Sequence, residues 1–166
     1  MVLKLLKLYM LKSKINKLEK KGMKIGGGTL LFPDLEAFGS EPYLIHIGEN
    51  CLIAGGVKFI THDGAIRVIN NKEDQKLISN KYGKINIKDN VYVGENSIIM
   101  PNVTIGPNAC VLPGSVVYKD IPPNSISGGN PAGLKNTLDN FLEYYTTEMY
   151  PYYKKYYYKF FKHIFT

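Results

Sequence analysis

Three histidines, His46, His62 and His163, and two cysteines, Cys51 and Cys110, are the side chains of this chain best suited to proton or acyl transfer. His62 stands in Phe59-Ile-Thr-His-Asp-Gly, where a patterned stretch ends and an unpatterned one begins. An imidazole there is suited to take a proton from an attacking hydroxyl or amine, because the ring titrates near neutrality. Taken alone, a single histidine in a loop is as readily a surface group. Its second nitrogen needs an acceptor to fix the ring. Asp63 is nearest, but neighbours in a strand point to opposite sides, so Glu41 and a backbone carbonyl stand as alternatives. Neither cysteine has a histidine beside it in the sequence, so neither reads as a poised nucleophile. A three-histidine metal site is not indicated: His163 is remote and His46 lies sixteen residues before His62. With no CxxC and no Cys/His cluster, no metal is expected, and two reduced thiols suit a cytosolic protein.

What must position His62 is a repeat. From Ile87 to Pro122 the chain divides into sixes: Ile87-Lys-Asp-Asn-Val-Tyr, Val93-Gly-Glu-Asn-Ser-Ile, Ile99-Met-Pro-Asn-Val-Thr, Ile105-Gly-Pro-Asn-Ala-Cys, Val111-Leu-Pro-Gly-Ser-Val and Val117-Tyr-Lys-Asp-Ile-Pro. The first place is always Ile or Val, the fifth is small or aliphatic, and the fourth is Asn or Gly until Asp120. Six fits neither a helix nor a two-faced strand. It fits a coil in which each unit makes one short strand and one corner, with Asn and Gly where the backbone turns left-handed. Such a solenoid buries its apolar side only by stacking coil on coil. Sixes also run from Ile47 to Gly64, and a partial one starts at Ile25. From Ile47 to Ile87 the count is not a multiple of six, so a segment must leave the coil. The candidate is 64–83, read as one long loop beside His62 and hence as an active-site loop.

The ends differ from the middle. Residues 1–24 carry eight Lys against one Glu, and residues 151–166 carry four Lys and no acid, within a net charge of +7. Residues 1–22 read as a basic amphipathic helix with Leu3, Leu6, Met10, Leu11, Ile15 and Leu18 on its apolar stripe. It would cap the solenoid, pack on a neighbouring subunit or touch an anionic membrane surface. Residues 23–134 form the repeat domain. Residues 135–166 read as a helical tail crowded with Tyr, Phe and Lys, suited to packing, to a membrane interface or to carbohydrate stacking. No apolar run approaches the roughly 20 residues of a membrane span. Lysines interrupt the N-terminal leucines, unlike a signal peptide. No nucleic-acid recognition motif accompanies the charge.

Taken together, Gly39-Ser-Glu-Pro-Tyr-Leu-Ile-His-Ile-Gly-Glu-Asn, Phe59-Ile-Thr-His-Asp-Gly, the sixes, Val116-Val-Tyr-Lys-Asp-Ile-Pro-Pro-Asn-Ser and Gly129-Asn-Pro-Ala resemble the hexapeptide-repeat acetyltransferases over about residues 22–135. The likeness is to the branch that O-acetylates sugars and polysaccharides. It implies an all-β solenoid, a left-handed parallel β-helix of hexapeptide repeats flanked by helical segments. It implies His62 as catalytic base, with Asp63, Glu41, Tyr43 and Tyr92 about the acceptor; Tyr92 stands where the family often has Trp. It implies acetyl-CoA along the last coils, at Gly94, Ser97, Ser115, Val117, Lys119, Asn130, Pro131, Ala132 and Lys135. Many relatives carry a base directly after Asn-Pro-Ala; here Gly133 stands there and Lys135 is the next cation. The family also implies a homotrimer with sites between subunits; the reduced thiols suggest the cytoplasm, and the basic ends suggest contact with the inner membrane face.

The expected reaction is direct transfer of an acetyl group from acetyl-CoA to a sugar or polysaccharide hydroxyl. An N-acetyltransferase for an amino-sugar nucleotide is the near alternative, because the same base can deprotonate an amine. A non-catalytic solenoid is the more distant one; it leaves the excursion after His62 and the Gly-Asn-Pro-Ala exit without a purpose.

Overall fold

The computed structural model describes residues 2–73 and 81–149. From Lys24 the chain visits three parallel sheets in rotation. The first face stacks Lys24–Ile25, Ile45–Ile47, Ile85–Ile87 and Thr104–Ile105; the second stacks Leu30–Leu31, Leu52–Ile53, Tyr92–Val93, Cys110–Val111 and Ser125–Gly128. The third stacks Lys58–Phe59, Ile98–Ile99 and Val116–Val117. Ile87 lies opposite Ile105, Val93 opposite Val111 and Ile99 opposite Val117, so one coil is three sixes. The result is a three-sided parallel solenoid.

The period decides what is buried. First-place residues such as Ile87, Val93, Ile99 and Ile105 and fifth-place residues such as Val91, Ser97, Val103 and Ala109 all point into the core. A buried aliphatic side chain stabilises by about 1.5–3 kcal/mol, and here only the next coil supplies that burial. The fourth place turns the corner: Asn90, Asn96, Asn102 and Asn108 hold positive φ, as does Gly114. Asn tolerates this conformation better than other side-chain-bearing residues. It also links coils, since Asn90 Nδ2 donates to Asn108 Oδ1 at 2.8 Å and Asn108 Nδ2 to Asn124 Oδ1 at 3.0 Å. At the second place of a six the coils nearly touch, and a Cβ on Gly94 would fall 2.5 Å from Pro113 N.

Two irregularities matter for the site, and both occur at the third face. In the first coil the third-face strand is replaced by a 3-10 turn, Leu35–Phe38, whose Phe38 ring stacks on Phe59 at 5.1 Å and 14°. One coil later the chain leaves the solenoid after Phe59. This excursion is not the single loop that the broken register suggests. It opens as an antiparallel ribbon, with His62–Asp63 paired to Lys81–Tyr82, and carries the helix Ile66–Glu73. Backbone pairing so close to the coil satisfies the N–H and C=O groups that a bare loop would leave open.

The ends close the stack. A first helix, Val2–Lys20, lies over the first coil. Leu18 is buried, and Leu11 and Ile15 pack against the core. Lys14 Nζ donates to the carbonyls of Leu31, Phe32 and Pro33 at 3.4, 3.3 and 2.8 Å. Met10, assigned from the sequence to the apolar stripe, is instead 62% exposed. The stripe runs through 11, 15 and 18, and position 10 lies about 100° around the helix from 11. Leu3 and Leu6 have side chains outside the described set. At the other end, Gly133–Thr137 runs antiparallel to Ser125–Gly128 before the helix Leu138–Tyr144 and the π-turn Tyr145–Met149. Residues 135–137 are therefore extended rather than helical, because they pair with the last coil. The aromatic tail from Tyr150 lies outside the described residues. Among the described residues no helix is long and apolar enough to cross a membrane.

Candidate active site

Phe38 and Phe59 stack one coil apart, so the segments that follow them leave the same corner side by side. This brings Glu41 against Thr61 and His62. Glu41 sits between the Leu35–Phe38 turn and a second 3-10 turn, Pro42–Leu44, with Gly39 supplying a positive-φ step between them. His62 begins the ribbon, half-exposed.

Glu41 Oε2 lies 2.9 Å from His62 Nδ1 and accepts the Thr61 hydroxyl at 2.6 Å; Glu41 Oε1 accepts the Ser40 hydroxyl at 2.6 Å. The Ser40 and Thr61 hydroxyls, then the His62 ring, favour the charged form over the opposing effect of burial and lower the Glu41 carboxyl from 4.5 to about 2. An ionised carboxylate only accepts, so Nδ1 is the donor of this pair, and in the neutral ring Nε2 is the nitrogen with the free lone pair. Tyr82, cross-strand partner of His62, packs its ring 5.6 Å from the imidazole at a 43° tilt. A cleft of about 520 Å³ ends at His62, running between the Leu35–Phe38 turn and the strand edge from Gly56 to Thr61.

Of the residues singled out from the sequence, Glu41 and His62 meet. Asp63 turns away: its Oδ1 accepts the Ala65 N–H at 2.9 Å and it is exposed. Tyr43 is exposed on the Pro42–Leu44 turn beside Gly22, and Tyr92 lies on the second face between Leu52 and Cys110. Neither lines the cleft at His62.

Ser97, Ser115 and Val117 point inward and are fully buried, so their side chains cannot meet a bound cofactor. Ser97 donates to the Leu112 carbonyl at 3.2 Å, and Ser115 donates to the same carbonyl while accepting the Gly129 N–H at 3.2 Å. Gly94 is required by the coil above it. The outward residues fare differently. Ala132 N donates to Val116 O and Val116 N to Gly129 O, so Gly129-Asn-Pro-Ala lies along the edge of the third face. Lys119, Asn130, Pro131 and Lys135 are exposed there, with Lys135 Nζ beside Gly129. The sequence pattern does not single out Ser40, Thr61 and Tyr82. The first two flank Glu41 and His62 and could have been found by asking what holds them; nothing in the unpatterned excursion marks Tyr82.

The repeat region, residues 84–119, matches the family model described as bacterial transferase hexapeptide (six repeats). The chain is 48% identical over 131 residues to Protein CapG of Staphylococcus aureus, covering 78% of this chain and 73% of that one. Among solved structures it is similar to a maltose O-acetyltransferase from Clostridium difficile 630, with a TM-score of 0.53 and 26% identity over 72% of each chain. The fold also matches a hexapeptide-repeat containing acetyltransferase from Vibrio cholerae O1 biovar eltor complexed with acetyl coenzyme A. There the TM-score is 0.52 at 18% identity, over 80% of this chain and 89% of that one.

Proposed function

As this chain belongs to the hexapeptide-repeat acetyltransferases, we propose that it moves the acetyl group of acetyl-CoA to a hydroxyl of a sugar or polysaccharide, with His62 as general base. The observation that carries this reading is the Glu41 carboxylate on His62 Nδ1, which makes Nε2 the base nitrogen of the neutral ring, with His62 at the end of a cleft. The acceptor hydroxyl gives its proton to Nε2 as its oxygen bonds to the thioester carbon. The C–S bond then breaks, and the imidazolium returns the proton to the leaving thiolate. No acetyl-enzyme is needed. The base accounts for about 10²–10⁴ in rate, and positioning supplies much of the rest.

The CoA arm would lie along the third face, against the Gly129–Ala132 edge, with Lys119 and Lys135 as point charges for its phosphates. Family membership supports a left-handed winding of the coils and a trimer with sites between adjacent solenoids. The outward residues of two faces agree with the trimer. Leu30, Leu52 and Tyr92 line the second and Ile98, Met100, Val116 and Tyr118 the third, where Lys58 is the one outward cation of the strands, a largely apolar surface suited to burial against copies. Tyr43 and Tyr92 would then reach the acceptor from a neighbouring copy.

Thiol release from acetyl-CoA over a panel of hydroxyl and amino acceptors tests the proposal. Hydroxyl acceptors should be preferred, and His62→Ala should lower turnover by about 10²–10⁴. Equal turnover by both proteins would remove His62 from the mechanism, and preference for amino-sugar nucleotides would make this an N-acetyltransferase.

A further inference from the structure

We propose that the outward side of the first face is a track for an acidic glycan, the acceptor polymer itself, held by Lys24, Lys84 and Lys88 around His46. The proposal rests on the acetyltransferase reading for the word acceptor, but its physical basis is separate.

The register builds the cluster. Lys24, His46 and Asn86 are directly paired across three strands of the first face, with about 4.8 Å between neighbouring strands. Lys84 and Lys88 flank Asn86 two residues to either side, so all three point outward while Ile85 and Ile87 point in. The lysines are exposed and His46 is partly so. Lys20 and Lys21, exposed beside Glu19 at the end of the first helix, add positive charge just before Lys24 in the chain. Three acids stand at the margin: Asp89 and Asp120 are turned onto backbone, accepting the N–H of Glu49 at 2.8 Å and of Thr104 at 2.7 Å, and the exposed Glu49 lies at the Asp89 corner; of the charges about His46 it is the lysines that act on the ring.

The electrostatics show what is missing. Burial first, then Lys24, Lys84 and Lys88, hold His46 below its ordinary value. Three cations around a neutral imidazole on a flat sheet leave a surplus of positive charge that an anion laid across the strands would offset.

A glycan fits this column better than a membrane does. The three lysines form a triangle confined to one sheet face, Lys84 and Lys88 along one strand and Lys24 two strands away, which a short run of a linear chain laid across the strands can span, and the outward apolar side chains of Leu30, Ile98 and Tyr118 lie on the other faces. The track also adjoins the chemistry. The chain regains the first face at Lys84, where the excursion that starts at His62 returns, so a polymer on the track passes the corner that holds the base.

Binding to the full-length protein decides this without turnover. Polygalacturonate should bind more tightly than uncharged dextran, and binding should weaken as salt screens the lysines. Replacing both Lys84 and Lys88 with Ala should weaken it roughly tenfold with thermal melting unchanged; the Lys84→Gln, Lys88→Gln pair serves if the first variant is unstable. Polygalacturonate should also raise the titration midpoint of the His46 imidazole, followed by NMR. Equal binding of dextran, no loss in either double variant, or stronger binding to phosphatidylglycerol vesicles or duplex DNA would overturn the proposal. Failure of the acetyl-transfer assay would leave this readout standing, so the two readings can fall separately.

Discussion

Glu41 Oε2 stands 2.9 Å from His62 Nδ1, across 21 positions of sequence, because two segments leave one corner of the solenoid a coil apart. The relationship sets the tautomer of His62. Glu41→Gln offers an amide N–H to Nδ1 and so favours the proton on Nε2, where the acceptor should deliver its own. Turnover with a saturating hydroxyl acceptor should fall by about 10²-fold or more, while KM for acetyl-CoA stays within a factor of two or so of wild type. Glu41→Asp, which keeps a carboxylate, should recover part of the loss. A KM change with unaltered kcat would assign Glu41 to substrate binding instead.

The same contact makes stability acid-sensitive with a definite sign. Burial opposes ionisation of Glu41, yet its hydrogen bonds bring the folded pKa to about 2 from 4.5. A depressed carboxyl stabilises the fold fully above the unfolded value and loses that contribution as pH falls through the folded one. Urea titrations of wild type and Glu41→Gln should therefore differ by a constant amount at neutral pH. The gap should close between about pH 4.5 and about pH 2. A gap independent of pH over that window would mean that Glu41 is not held ionised by Ser40, Thr61 and His62.

The solenoid could be read from the sequence because its physics is periodic. Each inward place repeats every six residues, and each Asn corner repeats with it. The site is not periodic. Glu41 meets His62 only because Leu35–Phe38 takes the place of a strand and the ribbon begins at His62 itself, and neither event leaves a pattern in residue types. The opposite lesson comes from Ser97, Ser115 and Val117. Family likeness put them beside the cofactor, yet their own places in the repeat, fifth, fifth and first, already pointed them inward. Where the period is strong, it decides which way a side chain points, and a role carried over by resemblance can then run only through the backbone.

That lesson is testable at Ser97. Its hydroxyl joins the Leu112 carbonyl and the Ser115 N–H inside the coil, at 3.2 and 3.4 Å. Ser97→Ala leaves the Ser115 N–H without its buried acceptor, while the Leu112 carbonyl keeps the Ser115 hydroxyl, and should cost about 1–3 kcal/mol of stability, read as an earlier urea midpoint. KM for acetyl-CoA should not change under conditions where the variant is fully folded. A raised KM with an unshifted midpoint would restore Ser97 to the cofactor site.

The corners make the last prediction. Asn108 adopts φ 54° and its side chain bridges Asn90 and Asn124 in the coils on either side. Replacement by Ala meets two costs: the left-handed backbone, about 1–2 kcal/mol for a residue with an ordinary Cβ, and the loss of both bridges. Replacement by Gly meets only the second, since Gly adopts positive φ freely. Thermal or urea unfolding should rank the proteins wild type, Asn108→Gly, Asn108→Ala in falling stability. If Ala were as stable as Gly, the left-handed corner would not be what selects Asn at the fourth place, and the ladder of side-chain bridges would be left as the reason for it.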